Sequence, residues 1–464
     1  MLAWLGAIQL GSAPVASTQT PAVRQVSLIV TGGTVITVDP ARRVLTSGAL
    51  AIDGTDIVAI DTPEAIARAY RSPQTIDATG AIVMPGLINT HTHAPMVMYR
   101  GLGSDLALMD WLQKYIFPAE AKTVTPAFVR TGTRLAVLEM IQSGTTAYAD
   151  MYYFEEEIAA VTREAGLRGV LGQTILKFPV PDAKTPQDGL ARTEAFIKQF
   201  KGDPLVVPAV APHSLYTLEA DTLQACAALA RKHGVPILIH LAETRDEVGI
   251  AREQHRMSPT MYLDSLKLLG PDVLAAHGVH VSSEDIDVIK QRGVAISHNP
   301  ESNMKLASGV APVVKYLAAN VTIGIGTDGA ASNDDLDMFE AMRQTAFLQK
   351  LSTNDPKATP APVVLEMATR LGARALGLEK ITGSLEVGKR ADLLIVGTDA
   401  SRQIPLYDPV AQIVYVTRGD DVKTTIVNGN VLMRDRKVLT LDEAKVKAEA
   451  RAASAQVRAA VGLP

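Results

Sequence analysis

Ala81-Ile82-Val83-Met84-Pro85-Gly86-Leu87-Ile88-Asn89-Thr90-His91-Thr92-His93 is an apolar run that ends in a His-x-His pair. Residues 81–84 read as a short buried strand. In an extended chain residues i and i+2 share a face, so His91 and His93 aim two imidazoles at one point. Imidazole is the commonest protein ligand for a divalent transition metal. Two histidines at a strand end are also an ordinary polar mouth, so the rest of the chain has to decide between the readings.

Working outward, the middle of the chain (84–378) alternates strand and helix patterns. Strand-like runs cover 144–150, 169–175, 205–211, 236–241, 273–276, 293–297 and 321–326, with helical stretches such as 128–142 and 221–233 between them. With the strand ahead of His91 these make eight repeats, the count of a TIM-type (β/α)8 barrel, an α/β fold whose catalytic residues sit at the C-terminal ends of the strands. On either side, residues 26–83 and 379–440 carry short Val/Ile-rich runs broken by Gly- and Asp-bearing turns. Among them, 28–36, 49–60, 390–396, 413–416 and 422–430 read as strands and turns. They are expected to form one small composite β-sandwich domain, built antiparallel from both ends. Residues 1–25 read as a leader, disordered or a degenerate secretory signal without a basic start, and 441–464 as a C-terminal helix.

The bulk numbers exclude more than they assign. A net charge of −4 gives no electrostatic case for nucleic acid or an anionic membrane. No apolar run is long enough to span a bilayer. The single cysteine, Cys226, rules out an intrachain disulfide and a Cys-based zinc cluster, and its helical surroundings read as an inert buried thiol. The expectation is a protein acting on a small molecule as a homo-oligomer in the cytoplasm, with the periplasm open if the leader is a signal.

Five of the nine histidines fall at or just past strand ends: His91, His93, His213, His240 and His277. The last strand ends in Gly326-Thr327-Asp328-Gly329 and adds a carboxylate to the same mouth. Each alone is unremarkable, but a single barrel face collecting all of them points to a site. Three imidazoles and a carboxylate, with one position left to water, suit Zn²⁺ or Fe²⁺. Glu243, three residues past His240, lies near enough to shuttle a proton, and His277 can steady a nucleophilic water.

These segments resemble the amidohydrolase superfamily over nearly the whole chain, because 85–93, 240–243, His277 and 327–329 occur in the superfamily's order. The resemblance implies that His91, His93, His240 and Asp328 are metal ligands, with Asp328 also taking a proton from water and Glu243 and His277 completing the catalytic set. The fourth strand ends in Ala211-Pro212-His213-Ser214 with no lysine, so the bridging carbamylated lysine of binuclear members is missing and one divalent metal is implied, zinc ahead of iron.

Within the superfamily the chain looks most like the 5′-methylthioadenosine/S-adenosylhomocysteine deaminases, next to the triazine hydrolases. Matching segments are Trp111-Leu112-Gln113, Pro118-Ala119-Glu120, 211–214, 297–306 and 326–333. By position, Glu120 would accept hydrogen bonds from the ribose hydroxyls and His213 would bond a purine nitrogen. Trp111 would line the pocket and Ser332 would sit near the 5′ side. One departure stands out: where members that accept S-adenosylhomocysteine are expected to carry a carboxylate-gripping arginine, this chain has Gln173, and downstream only Lys177, Lys184 and Arg192. Losing a bidentate arginine weakens carboxylate recognition. The implied substrates are therefore 5′-methylthioadenosine, 5′-deoxyadenosine and adenosine ahead of S-adenosylhomocysteine.

Plainer readings attach to the remaining residues. His233 reads as a helix C-terminal cap, His255 as solvated, His280 as outside the pattern and His298 as structural or supporting, while Trp111 also suits a core aromatic. The competing functions are a triazine or other heterocycle hydrolase, a guanine, 8-oxoguanine or cytosine deaminase, and a non-catalytic scaffold. A ribose clamp at Glu120 has no purpose with a triazine or a free base. A scaffold would be marked by missing ligands, and none is missing.

Overall fold

A computed structural model describes residues 23–462. The leader expected over 1–25 falls outside these residues as far as 22, and Arg24–Gln25 already pairs as a short parallel strand with Tyr70–Arg71.

Eight parallel strands follow one another round the barrel: β1 (Leu87–Thr92), β2 (Thr145–Tyr152), β3 (Arg168–Ile175), β4 (Val206–Pro212), β5 (Ile237–Leu241), β6 (Val273–His277), β7 (Ala295–His298) and β8 (Ile323–Ile325). β8 returns beside β1, where the Asp328 N–H donates to the His91 carbonyl at 2.9 Å. From β2 onward each strand lies within two residues of its expected ends, because a buried parallel strand reads as a continuous apolar run between helix stops and starts. Those stops are chemical. Gly144 ends the helix before β2 in the left-handed conformation (φ 88°), and Thr125, Thr185 and Ser282 cap helix starts through their hydroxyls.

The first strand is displaced from its expected place. Residues 81–84 do form a strand, Ala81–Pro85, but it belongs to the second sheet, between Leu28–Ile36 and Leu393–Gly397. The barrel begins two residues later, at Leu87. A Cβ on Gly86 would meet the Thr146 hydroxyl at 2.0 Å, so glycine alone lets the chain cross from one sheet to the other this close to β2. The two strands share one unbroken apolar run and therefore read as a single strand.

The second sheet has nine strands drawn from both ends of the chain. Leu28–Ile36 pairs antiparallel with Val44–Asp53 and parallel with Thr75–Asp77 and Ala81–Pro85, so the sheet is mixed rather than antiparallel throughout. Leu393–Gly397, Val422–Val427 and Asn430–Arg434 continue it. Val30, Leu50, Ile52, Leu393 and Ile426 form its own core. Residues 413–416, read as a strand, instead end a helix: Pro409–Tyr415 is an α-helix, closed by Val416, whose first N–H groups are capped by the Asp408 carboxylate, with proline at its first position. Cap and proline outweigh the strand preference of four apolar residues.

The two sheets are joined by a buried ion pair. The Arg168 guanidinium of β3 lies 3.2 Å from Asp392 and donates to the Pro204 carbonyl at 2.9 Å, and Asp392 also accepts the Asn428 N–H at 2.6 Å. The side chains are 3% and 0% exposed, so replacing Arg168 by methionine strands a carboxylate away from water. We expect Arg168→Met to cost about 3–5 kcal/mol and to lower the melting temperature by roughly 3–5 °C. A shift below two degrees in a thermal melt would contradict this. The C-terminal helix, Glu443–Val461, packs on Phe117–Thr123 and Pro126–Ser143. No helix among the described residues is long and apolar enough to cross a membrane.

Candidate metal centre and substrate cavity

The strand ends bring the expected ligands together. His91, His93 and His240 each place a ring nitrogen within 4.8 Å of the others, and His91, His277 and Asp328 form a second such group around the same point. Asp328 Oδ1 lies 3.4 Å from His91 Nε2 and 3.3 Å from His93 Nε2. The ring tautomers are set from behind: His93 Nδ1 donates to the Met151 carbonyl at 2.6 Å and His240 Nδ1 to the His213 carbonyl at 2.8 Å. Both Nε2 lone pairs are thereby turned inward. His91 Nε2 is buried and makes no hydrogen bond. Inward-facing imidazoles beside a carboxylate, with an orphaned nitrogen among them, fit a divalent cation such as Zn²⁺.

The backbone is bent to make this cluster. Ala242, His277 and Asp328, at or just past the ends of β5, β6 and β8, hold left-handed φ values of 49°, 75° and 65° without being glycine. Such strain gathers where function fixes a side chain's direction. Each kink has its own brace. Asp328 Oδ2 accepts the hydroxyls of Ser302 (2.7 Å) and Ser332 (2.9 Å), so the Ser332 hydroxyl is already engaged by Asp328. His277 Nδ1 lies 2.9 Å from Asn303 Oδ1. At Ala242 the buried Glu247 carboxylate accepts the N–H groups of Ala242 (2.8 Å) and Glu243 (2.9 Å). The Ala242 carbonyl in turn accepts the N–H groups of Val279 and His280. Glu243 and His277 are thus fixed to each other, 3.7 Å apart, and burial pushes the Glu243 carboxyl above its ordinary value.

One cavity contains His93, His240, Asp328, Glu243 and His277 together with Glu120, His213, Trp111 and Ser332. Burial and the nearby imidazoles push His213 down to about 3, so its ring is neutral. Trp111 serves both of its readings, since it is buried, donates Nε1–H to the Leu102 carbonyl at 3.1 Å and faces the cavity. It belongs to a helical segment, Leu108–Thr123, that passes through one π-turn and presents Leu108, Leu112, Ile116 and Phe117 as an apolar wall. Gln173 is not part of the lining. Its amide donates to Asp182 at 2.7 Å. Lys177 pairs with Glu219 and Arg192 with Glu156, and no lysine or arginine lines the cavity among the described residues.

Other histidines sort differently. His233 bonds Glu194 at 3.0 Å on the neighbouring helix, and His280 bonds the Ser308 carbonyl. His255, read as solvated, is half-buried and stacks on Tyr262 at 3.6 Å, because the next helix folds back under it. His298 is fully buried and neither of its ring nitrogens bonds a protein group. Sequence reading assigned no individual role to Tyr152, Tyr153, Glu247, Ser302 or Asn303, although Ser302 and Asn303 lie in the matching segment 297–306. Of the other three, only Glu247 left a signal, as the glutamate of a Thr-x-x-Glu helix start at Thr244.

Comparison with known proteins agrees with this geometry. Residues 82–432 match the model of the amidohydrolase family. The chain is 44% identical, over 91% of its length and 97% of the relative's, to a 5-methylthioadenosine/S-adenosylhomocysteine deaminase of Syntrophobacter fumaroxidans. It is 42% identical, over 93% of its length and 98% of the relative's, to a 5′-deoxyadenosine deaminase of Methanococcoides burtonii. Among solved structures it superposes on a zinc-bound adenosine deaminase from Xanthomonas campestris with a TM-score of 0.93 at 36% identity, covering 94% of this chain and all of that one. With a His/His/His/Asp metal centre at the mouth of its barrel, the chain belongs to the amidohydrolase family and is a metal-dependent hydrolase.

Proposed function

We propose that this protein deaminates adenine nucleosides whose 5′ group is uncharged: 5′-methylthioadenosine, 5′-deoxyadenosine and adenosine, with S-adenosylhomocysteine disfavoured. The observation that carries the reading is the composition of one cavity. A metal centre and a buried acid (Glu243) share it with a second carboxylate (Glu120), a neutral imidazole (His213) and an apolar wall that holds no cation. The three relatives named above are adenine-nucleoside deaminases by name, which supports the adenine-nucleoside part of the reading.

His91, His93, His240 and Asp328 would hold one divalent ion, which when bound would lower the pKa of a water and so make it a nucleophile near neutral pH. Glu243 gives its proton to the ring nitrogen beside the carbon under attack, and Asp328 accepts the proton that the attacking water releases. Glu243, now a carboxylate, takes the proton of the newly formed hydroxyl and passes it to the departing amine, and the proton held by Asp328 restores Glu243, so that water and the nucleoside leave as the inosine analogue and ammonia. His277, braced by Asn303, steadies the water beside Glu243. Glu120 takes the two ribose hydroxyls and His213 a purine nitrogen. We further propose a cytoplasmic homo-oligomer, in keeping with a nucleoside substrate and with the exposed apolar side chains Phe347, Leu351 and Tyr407.

Ammonia release over a panel of nucleosides and amino-triazines tests this reading. We expect kcat/KM for 5′-methylthioadenosine to exceed that for S-adenosylhomocysteine by about 10–100-fold, the worth of an unmade charge-assisted carboxylate contact. Equal values would sink the uncharged-tail preference, and ammonia from triazines alone would sink the nucleoside assignment. Glu120→Ala removes two hydrogen bonds to a buried charge and is expected to lower kcat/KM on nucleosides by about 10²–10⁴-fold.

A further inference from the structure

Glu120 is not a bare carboxylate. It is 5% exposed, and two consecutive phenols reach it: Tyr152 donates to Oε1 at 2.7 Å, and the Tyr153 hydroxyl lies 3.5 Å from Oε2. Consecutive residues of a strand point to opposite faces, so two neighbours can meet one carboxylate only if the strand ends between them. It does: β2 stops at Tyr152, Tyr153 lies in the bend, and Phe154 takes a left-handed φ of 54°. The turn is anchored from below, where the buried Glu155 carboxylate accepts the Tyr152 N–H at 2.8 Å. Both rings are buried, tilt against each other at 4.8 Å and face the cavity.

An ionised carboxylate offers about four lone-pair sites. One phenol on each oxygen leaves one open acceptor on each, which is the acceptor count of a vicinal diol. We propose that Tyr152 and Tyr153 are specificity-determining residues that shape Glu120 into a two-acceptor site for a cis-diol, and so set the preference for ribose over deoxyribose. This rests on the reading of Glu120 as the ribose-binding group. Burial pushes both phenols well above their ordinary range, so they remain donors. Burial also pushes Glu120 up to about 7, and the same two phenols act against that rise. With a phenol gone, the carboxyl more readily takes a proton, and one of its oxygens then donates where a ribose hydroxyl must be accepted.

The test is kcat/KM for adenosine, 2′-deoxyadenosine and 3′-deoxyadenosine in the parent enzyme and in Tyr152→Phe, Tyr153→Phe and Glu120→Gln, with bound metal and melting temperature measured alongside. We expect Tyr152→Phe to lower kcat/KM for adenosine about 10–100-fold, chiefly through KM, and to lower it less for the deoxy analogues, so that the ribose preference contracts. Tyr153→Phe, which removes the longer contact, should contract it less. Equal loss on all three substrates overturns the proposal, because a packing defect does not read the sugar. An unchanged preference in both tyrosine variants beside a collapsed one in Glu120→Gln overturns the phenol assignment alone. An unchanged preference in all three overturns the ribose grip and the phenol assignment with it.

Discussion

His240→Ala is expected to yield a folded protein that retains no stoichiometric metal and shows no measurable turnover. The substitution removes one of three inward-facing imidazoles and leaves the β5 backbone pairing with β6 intact. Losing a group that merely supports a ligand costs roughly 10–100-fold in metal affinity, and losing the ligand itself costs more. Elemental analysis together with a thermal melt separates metal loss from unfolding. Added zinc should restore activity to chelator-treated parent protein and not to the variant. A variant that keeps its metal and turns over within tenfold of the parent would remove His240 from the ligand set.

Glu243→Gln is expected to lower kcat by about 10²–10⁴-fold, the range of a positioned general acid–base group, while metal content and KM stay near those of the parent. Glutamine keeps the shape of the side chain, and the brace from Glu247 acts on the backbone N–H groups of Ala242 and Glu243, so the kink at Ala242 survives. The variant therefore isolates the proton from the geometry. A kcat within tenfold of the parent would assign the proton to another group. His277, 3.7 Å from Glu243, would then be the first to test.

Much of this molecule is legible in its sequence, and the parts that are not share a cause. Seven barrel strands and the histidines at their ends show through because burial on both faces writes long apolar runs and helix caps write their stops. The crossing at Gly86 does not show, since the two strands it separates are equally apolar. The helix at Pro409–Tyr415 was marked by Asp408 and Pro409, but four apolar residues in a row read the same in either conformation. At the site, ligands announce themselves through residue type and spacing. The braces do so far less: Ser302, Asn303 and Tyr152 are common residues whose roles come from left-handed kinks that no local pattern encodes, and Glu247 shows only as the glutamate of a helix start. Gln173 shows the reverse case. Its place in the chain matched a binding position, yet a hydrogen bond to Asp182 withdraws it from the cavity wall.

The end of β2 carries a consequence for what this barrel can accept. Met151 offers its carbonyl to the metal-side histidine His93, and the next residue, Tyr152, holds the carboxylate assigned to the sugar. Adjacent residues of one strand, about 3.3 Å of rise apart, therefore tie the metal side and the Glu120 side of the cavity to one backbone segment, the first through a carbonyl and the second through a phenol. A residue added or deleted in this strand's final turn would disturb both contacts together, whereas a side-chain exchange at Tyr152 would reach only the one to Glu120.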